Sequence, residues 1–267
     1  MKLYYRVYGS GHPLIILHGL FGSSDNWISI AKSLSTRFMV VLPDQRNHGR
    51  SQHSLIHDYH SMSDDLAGLI NELGWNKFFL AGHSMGGKTA VRFALDRPEK
   101  LNGLLVADIS PFTRYSRNSE DFRMHRQILD FMINENISGI KSRKEIDSLL
   151  RKNIKSSKVR GLVLKNLRRE SDNSFFWGSN AISIMRNLDR IADRVEPAGN
   201  FSGEVTGFPI IFLKGENSHY LRENEYTNIL RIFPGAEFIT IPQAGHWIHA
   251  DNPGAVRSCF MKFLQDS

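Results

Sequence analysis

Seven short apolar runs punctuate the chain: LYYRVY, PLIIL, MVVL, KFFLAG, LNGLLVAD, PIIFLK and EFITI. Each has little polar interruption, which is how a strand reads when both of its faces are buried. Between them, residues 24 to 35, 61 to 73, 88 to 96, 224 to 232 and 252 to 265 carry apolar positions at helical spacing. Ser24, Ser61 and Asn252 stand where N-caps belong, and Pro253 stands at a first helical position. Strand alternating with helix predicts a mostly parallel sheet covered by helices on both faces, an α/β fold. The alternation stops after Phe112, and strand periodicity resumes only at Pro209; the sequence between is polar and helix-compatible. The pattern therefore predicts a core built from residues 1–111 and 207–267, with a helical lid inserted at 112–206.

Composition narrows the class. A chain of 267 residues with 41% hydrophobic content can bury a large single core. The apolar run nearest the N-terminus, Leu14 to Leu17, is too short and too late for a signal peptide, and nothing approaches the roughly 20 apolar residues of a membrane span. The mature chain is accordingly expected to be the whole chain, with no membrane span. The single cysteine, Cys259, cannot form an internal disulfide and sits on an apolar helix face, which points to a reducing cytoplasm.

Charge is unevenly placed. The net charge is +7, and residues 112 to 206 hold 18 Lys and Arg against 12 Asp and Glu. Between 141 and 169 the imbalance is 11 against 2. A basic excess confined to one segment reads first as a solvated helical face and second as a surface for an anionic substrate. No nucleic-acid-binding motif accompanies it, so no nucleic-acid partner is expected.

The chemistry begins at KFFLAGHSMGGKTAVRFAL, residues 77 to 95. Gly82-His83-Ser84-Met85-Gly86 lies between a strand and a helix, the context that makes G-x-S-x-G a specific signal. Glycines two before and two after Ser84 permit a tight turn that projects Oγ above the sheet edge. The helix that follows aims its N-terminal N–H groups at the same place, so an oxyanion beside Ser84 meets the Met85 amide and a favourable dipole. LIILHGLFGS, residues 14 to 23, supplies a second donor, assigned to the Leu20 amide, with Phe21 beside it as a substrate contact. His18 reads as a hydrogen-bonded structural residue. For the base, FITIPQAGHWIHADNP offers His246 and His249. His246 is in the loop directly after the last strand, as the order nucleophile, acid, histidine requires. His53, His57 and His60 have a spacing that suggests a metal site, but their neighbours are polar and no carboxylate completes a ligand set.

Four stretches, HGLFGS at 18–23, DQRNHGRS at 44–51, GHSMGGKTA at 82–90 and DISP at 108–111, resemble the α/β hydrolase superfamily. More narrowly they resemble the bacterial esterase group related to the mammalian mitochondrial α/β hydrolase domain proteins. Asn47 marks that group, since most of the superfamily has glycine there. Similarity continues through SRKEIDSLL, VLKNLRRE and FFWGSN, although Gly178 follows the tryptophan where the family pattern has arginine. The resemblance implies a mostly parallel eight-stranded sheet with the lid after strand 6. It also bears on the acid. Most of the superfamily places a carboxylate after strand 7, where this chain has Ser218; the narrower group places it after strand 6, where this chain has Asp108. Both strand ends flank one crevice, but a short Asp at a strand terminus is held more rigidly than Glu216 beside Gly215. Asp108 is preferred, Glu216 is the alternative, and a third reading has Asp108 only capping the turn before Pro111.

Serine as nucleophile argues against the carboxylate-based dehalogenase and epoxide chemistry of this fold. What remains is hydrolysis of an acyl ester or thioester through an acyl-enzyme on Ser84, with Asp108 and His246 completing the triad. The implied partner is a small-molecule acyl ester or thioester, with acyl-CoA as an anionic possibility. No metal or organic cofactor is required. Carbon–carbon bond hydrolysis, a cofactor-free peroxidase side activity on the same triad, and a non-catalytic ligand sensor are the alternatives.

Overall fold

The computed structural model describes residues 1–196 and 203–263, so parts of two expectations, the insertion at 197–202 and the helix at 264–265, lie outside the described residues. In chain order the core contains β1 (Tyr5–Tyr8), β2 (His12–Leu17), α1 (Ile28–Leu34), β3 (Phe38–Pro43), α2 (Tyr59–Leu73), β4 (Phe78–His83), α3 (Met85–Asp96) and β5 (Leu101–Ala107). The insertion follows with α4 (Glu120–Asn134), α5 (Arg143–Asn153), α6 (Ser157–Leu164), β6 (Leu167–Arg169), β7 (Phe175–Trp177), α7 (Ala181–Arg186) and α8 (Leu188–Ala192). The core resumes with β8 (Ile210–Gly215), α9 (Tyr226–Leu230), β9 (Ala236–Ile241), α10 (Ile248–Asp251) and α11 (Pro253–Lys262).

The main sheet has the order β1-β3-β2-β4-β5-β8-β9. Only the β1–β3 pair is antiparallel. The sheet thus has seven strands, one per apolar run, and not the eight that the resemblance implied. Among the described residues no further extended apolar segment pairs onto either edge. The insertion therefore leaves after β5, the strand that an eight-strand count numbers as sixth.

Side-chain alternation explains why the central strands are apolar along most of their length. Ile15, Leu17, Leu80, Leu104 and Val106 face one cluster with α2 and α3. Leu14, Ile16, Phe79, Leu105 and Ala107 face the other, against Trp27, α1 and α11. With both faces buried, polar positions in β2, β4 or β5 have nowhere to go. Insertion residues Ile128, Leu129, Ile146, Leu150, Val163 and Ile184 belong to the α2/α3 cluster, so the insertion shares one hydrophobic core with the sheet.

Two caps differ from expectation. Ser61 is inside α2; Asp58 is the cap, its carboxylate accepting from the Ser61 N–H at 2.8 Å. The expected helix at 24–35 splits into a 3₁₀ turn capped by Ser23 and then α1. Ser24 is diverted because its N–H donates to Asp44 Oδ1 at 2.6 Å. Asn252 does cap α11, accepting from the Ala255 N–H at 3.1 Å, with Pro253 in the first position. The insertion is not wholly helical, since β6 and β7 form a hairpin. Its turn is set by Asp172, which accepts from the Ser174 N–H at 2.8 Å, and by Asn173 at φ 66°. Asn47 also has a left-handed backbone, φ 64°, which asparagine tolerates better than other side-chain-bearing residues do; hence it stands where a glycine is otherwise found.

Candidate active site

Ser84 sits between the last residue of β4 and the first of α3, at φ 54° and ψ −117°. A β-carbon on Gly82 would fall 2.1 Å from the Gly86 carbonyl oxygen, and one on Gly86 would fall 2.6 Å from the carbonyls of Leu17 and His18. The two glycines are thus a steric requirement of the elbow. The Ser84 N–H donates to the Ala107 carbonyl at 3.0 Å, tying the elbow to the end of β5. One residue further along β5 is Asp108, also at positive φ, 52°, and completely buried.

The three strand ends bring Ser84, His246 and Asp108 into one chain of hydrogen bonds. Ser84 Oγ lies 3.1 Å from His246 Nε2, and His246 Nδ1 lies 2.8 Å from Asp108 Oδ2. Asp108 accepts two more bonds, from the Gly215 N–H at 2.8 Å and from Ser218 Oγ at 2.5 Å. A carboxylate with three partners is held immobile. Ser218, in the loop after β8, thus steadies the Asp108 carboxylate at the end of the neighbouring strand. Glu216 points elsewhere: it is exposed, and its carboxylate accepts from the Gln243 N–H at 2.7 Å. The imidazole of His246 is sandwiched further by Tyr220, whose ring centroid is 3.8 Å away at 21°. His83 Nε2 donates to the His246 carbonyl at 2.7 Å, so the loop as well as the ring is positioned.

Leu20, Phe21 and Met85 all border the space around Ser84. The loop approaches so closely that a β-carbon on Gly19 would lie 3.3 Å from the Ser84 β-carbon. Gly22 N–H donates to the Gly19 carbonyl at 3.0 Å, and Phe21 takes φ 60°, giving a tight turn beside Ser84. Asn166, an insertion residue that the sequence reading did not single out, donates through Nδ2 to the Phe21 carbonyl at 2.7 Å. Ser179 Oγ in turn donates to Asn166 Oδ1 at 2.6 Å. The VLKNLRRE and FFWGSN stretches therefore act together to hold the turn from above. Gly178 serves the same bracket, its N–H donating to the Asn166 carbonyl at 2.8 Å.

The remaining histidines divide by burial. His18 spends both nitrogens, with Nδ1 donating to the Gly19 carbonyl at 2.9 Å and Nε2 accepting from the Gln45 N–H at 2.9 Å. His249 is on α10, stacked on Trp27 at 4.5 Å, and burial pushes it down to about 3. His57 is buried, near the His48 ring, whereas His60 is at the surface, 3.6 Å from Asp64, so the three spaced histidines do not converge.

A cavity of ≈ 180 Å³ opens over Ser84 and His246. Its floor is the core loops and its roof is Met124, His125 and Ile128 of α4 with Val159 and Leu162 of α6. Burial pushes His125 down to about 4, so it is neutral at physiological pH. Asp121, one turn earlier, is raised by burial, but bonds from His219 and Tyr220 outweigh this and hold it below its ordinary value. Behind Ser84, Lys88 is nearly inaccessible. Its ammonium donates to the carbonyls of Thr113 at 3.0 Å and Asp193 at 2.7 Å, and burial brings it down to about 7.

A serine on a strand-to-helix elbow, with a histidine and a buried aspartate in reach, is the arrangement that serine hydrolases of the α/β hydrolase fold present. The chain belongs to that family: the α/β hydrolase fold model matches residues 12–253. It is 38% identical to the zebrafish sn-1-specific diacylglycerol lipase ABHD11, over 99% of this chain and 83% of that one. It is 28% identical to the Escherichia coli esterase YbfF, over 95% and 93% respectively. Among solved structures, a marine microorganism esterase superposes with a TM-score of 0.92 at 41% identity, covering 98% of this chain and 99% of the other.

Proposed function

We propose that the protein is a carboxylic ester hydrolase working through an acyl-enzyme on Ser84. The observation that carries this reading is His246 bridging Ser84 Oγ and Asp108 at 3.1 and 2.8 Å. Ser84 Oγ attacks the ester carbonyl and its proton passes to His246 Nε2. The carbonyl oxygen, now negative, is met by the Leu20 and Met85 amides. Collapse breaks the carbon–oxygen or carbon–sulfur bond, and His246 returns the proton to the departing alkoxide or thiolate. Water, deprotonated by the same histidine, then hydrolyses the acyl-enzyme. Asp108 holds Nδ1 protonated and stabilises the imidazolium. The 112–206 insertion acts as a lid that closes the site from water.

Thioesters, acyl-CoA included, are within this chemistry, because the site requires only an activated acyl carbonyl. A fluorophosphonate probe should label Ser84 and leave Ser84→Ala unlabelled, with kcat lowered by a factor on the order of 10⁴ or more. Labelling of the purified variant would show that the nucleophile lies elsewhere.

A further inference from the structure

We infer that the site divides at Ser84 into two unequal lobes, that the smaller takes the acyl group, and that the protein selects short acyl chains while tolerating bulky alcohols. The inference rests on the esterase reading above. The larger lobe is the cavity of ≈ 180 Å³ and the smaller is ≈ 40 Å³. Both touch Leu20, Ser84, Asp121, His125 and Tyr220, so they meet at the nucleophile, with His125 at the partition.

Proton traffic assigns the lobes. His246 must return its proton to the leaving oxygen, so the alcohol lies on the histidine side. His246 borders the larger lobe and Met85 the smaller. With the carbonyl oxygen directed at the Leu20 and Met85 amides, the acyl chain is left to run into the smaller lobe, past Ile109 toward Lys88, Tyr115 and Leu188.

Size then sets specificity. The small lobe has less than a quarter of the larger lobe's volume, so of the two groups on the ester it takes the shorter chain. Its end does not yield easily. The Lys88 ammonium is pinned by the Thr113 and Asp193 carbonyls and lies 4.9 Å from the Tyr115 ring centroid. Those carbonyls belong to the start of the insertion and to the residue after its last helix, α8. A longer alkyl chain would have to displace a buried ammonium from both carbonyls, and a methylene replaces neither bond. Tyr59 is fixed in the same way, its hydroxyl donating to the Ile191 carbonyl at 2.6 Å.

The test is two ester series on the intact protein. For p-nitrophenyl esters of increasing acyl length, kcat/KM should peak at about two to four carbons and fall by about tenfold or more at eight. For alkyl butyrates from ethyl to octyl it should vary less than about threefold, since the growing group lies in the larger lobe. A maximum at eight or more acyl carbons, or a flat acyl series with a steep alcohol series, overturns the assignment. Failure of every ester, together with absence of fluorophosphonate labelling, would instead sink the esterase reading itself. Leu188→Ala enlarges only the small lobe and should move the acyl optimum upward by about two carbons. A variant that melts like the parent yet keeps the parental profile also overturns the assignment; if it does not fold, the two series on the parent protein decide alone.

Discussion

The sheet ends and the insertion treat polar groups in opposite ways. At the ends of β4, β5 and β8, Ser84, Asp108 and Gly215 are in one continuous hydrogen-bonded set, and Asp108 is wholly buried with three donors. In the insertion, by contrast, most charges face solvent, and some pair across the surface, as Arg114 does with Asp193 and Arg117 with Asp189. What the insertion offers the site is largely apolar: Met124, Ile128, Val159, Leu162 and Leu188. The difference teaches a division of labour. Chemistry resides where the backbone of a buried sheet fixes short side chains, while selection among substrates resides where helices supply shape. Asn166 and Lys88 cross that boundary, one reaching down to the Phe21 carbonyl and the other holding the insertion at Thr113 and at Asp193.

The comparison can be broken most sharply at the acid. Asp108→Asn keeps size but removes the charge that stabilises the imidazolium, so kcat should fall by roughly 10² to 10⁴ on every ester tried. Glu216→Gln should alter kcat by less than about threefold, because its carboxylate only accepts from the Gln243 N–H. Steady-state kinetics on both purified variants check this; a crippled Glu216→Gln would move the acid to the other strand.

A smaller effect tests the bracket between the regions. Asn166→Ala removes the bond to the Phe21 carbonyl and leaves the Ser179 hydroxyl without its acceptor. Loosening the turn that carries the Leu20 amide should lower kcat by about tenfold with KM little changed, since the donor matters mainly once the oxyanion forms. A rise in KM at constant kcat would make Asn166 a support of the cavity wall only.

The smallest effect concerns charge on the insertion. Of the five cations between 151 and 160, Arg160 is buried against Asp147, Arg151 shares that carboxylate, and Lys158 pairs with Asp251. Lys152 and Lys155 remain to attract an anionic substrate. Raising salt from about 0.1 to 1 M shortens the Debye length from about 10 to 3 Å, so kcat/KM for an acyl-CoA should drop about threefold while a neutral ester of the same chain barely responds. Charge reversal at Lys152 and Lys155 should reproduce the loss at low salt. Equal responses would leave these lysines as a solvated face.

Local pattern carried a great deal. Each of the seven apolar runs became one strand of the main sheet; the five inner strands announce themselves because burial on both faces admits little polar alternation, whereas the edge strands β1 and β9 are only partly buried. The elbow was legible for a comparable reason: Gly82 and Gly86 are demanded by backbone contacts closer than any side chain allows, and such steric demands are written residue by residue. His246 followed from chain order, and the roles of His18 and Asn252 from their immediate neighbours.

Other features had no local signal. The hairpin of β6 and β7 lies in a polar stretch whose only marks are the Asp172-Asn173-Ser174 turn and flanking aromatics, too short for a period of two to register. Ser218 lies 110 residues from the Asp108 carboxylate to which it donates, and Asn166 lies 145 from the carbonyl it holds. Neither pairing has any imprint on the residues next to it. The same is true of Lys88, whose place in a helix reads as one more exposed lysine until Thr113 and Asp193 are seen to close over it. The sequence by itself determined the strand set, the glycine elbow around Ser84, the loop that carries His246 and the family, because propensity, burial pattern and steric necessity act over a few residues. Only the tertiary structure decided which carboxylate meets His246, how the acid is steadied and how the cavity divides, because those depend on distances between segments that loop closure brings together without leaving a periodic trace.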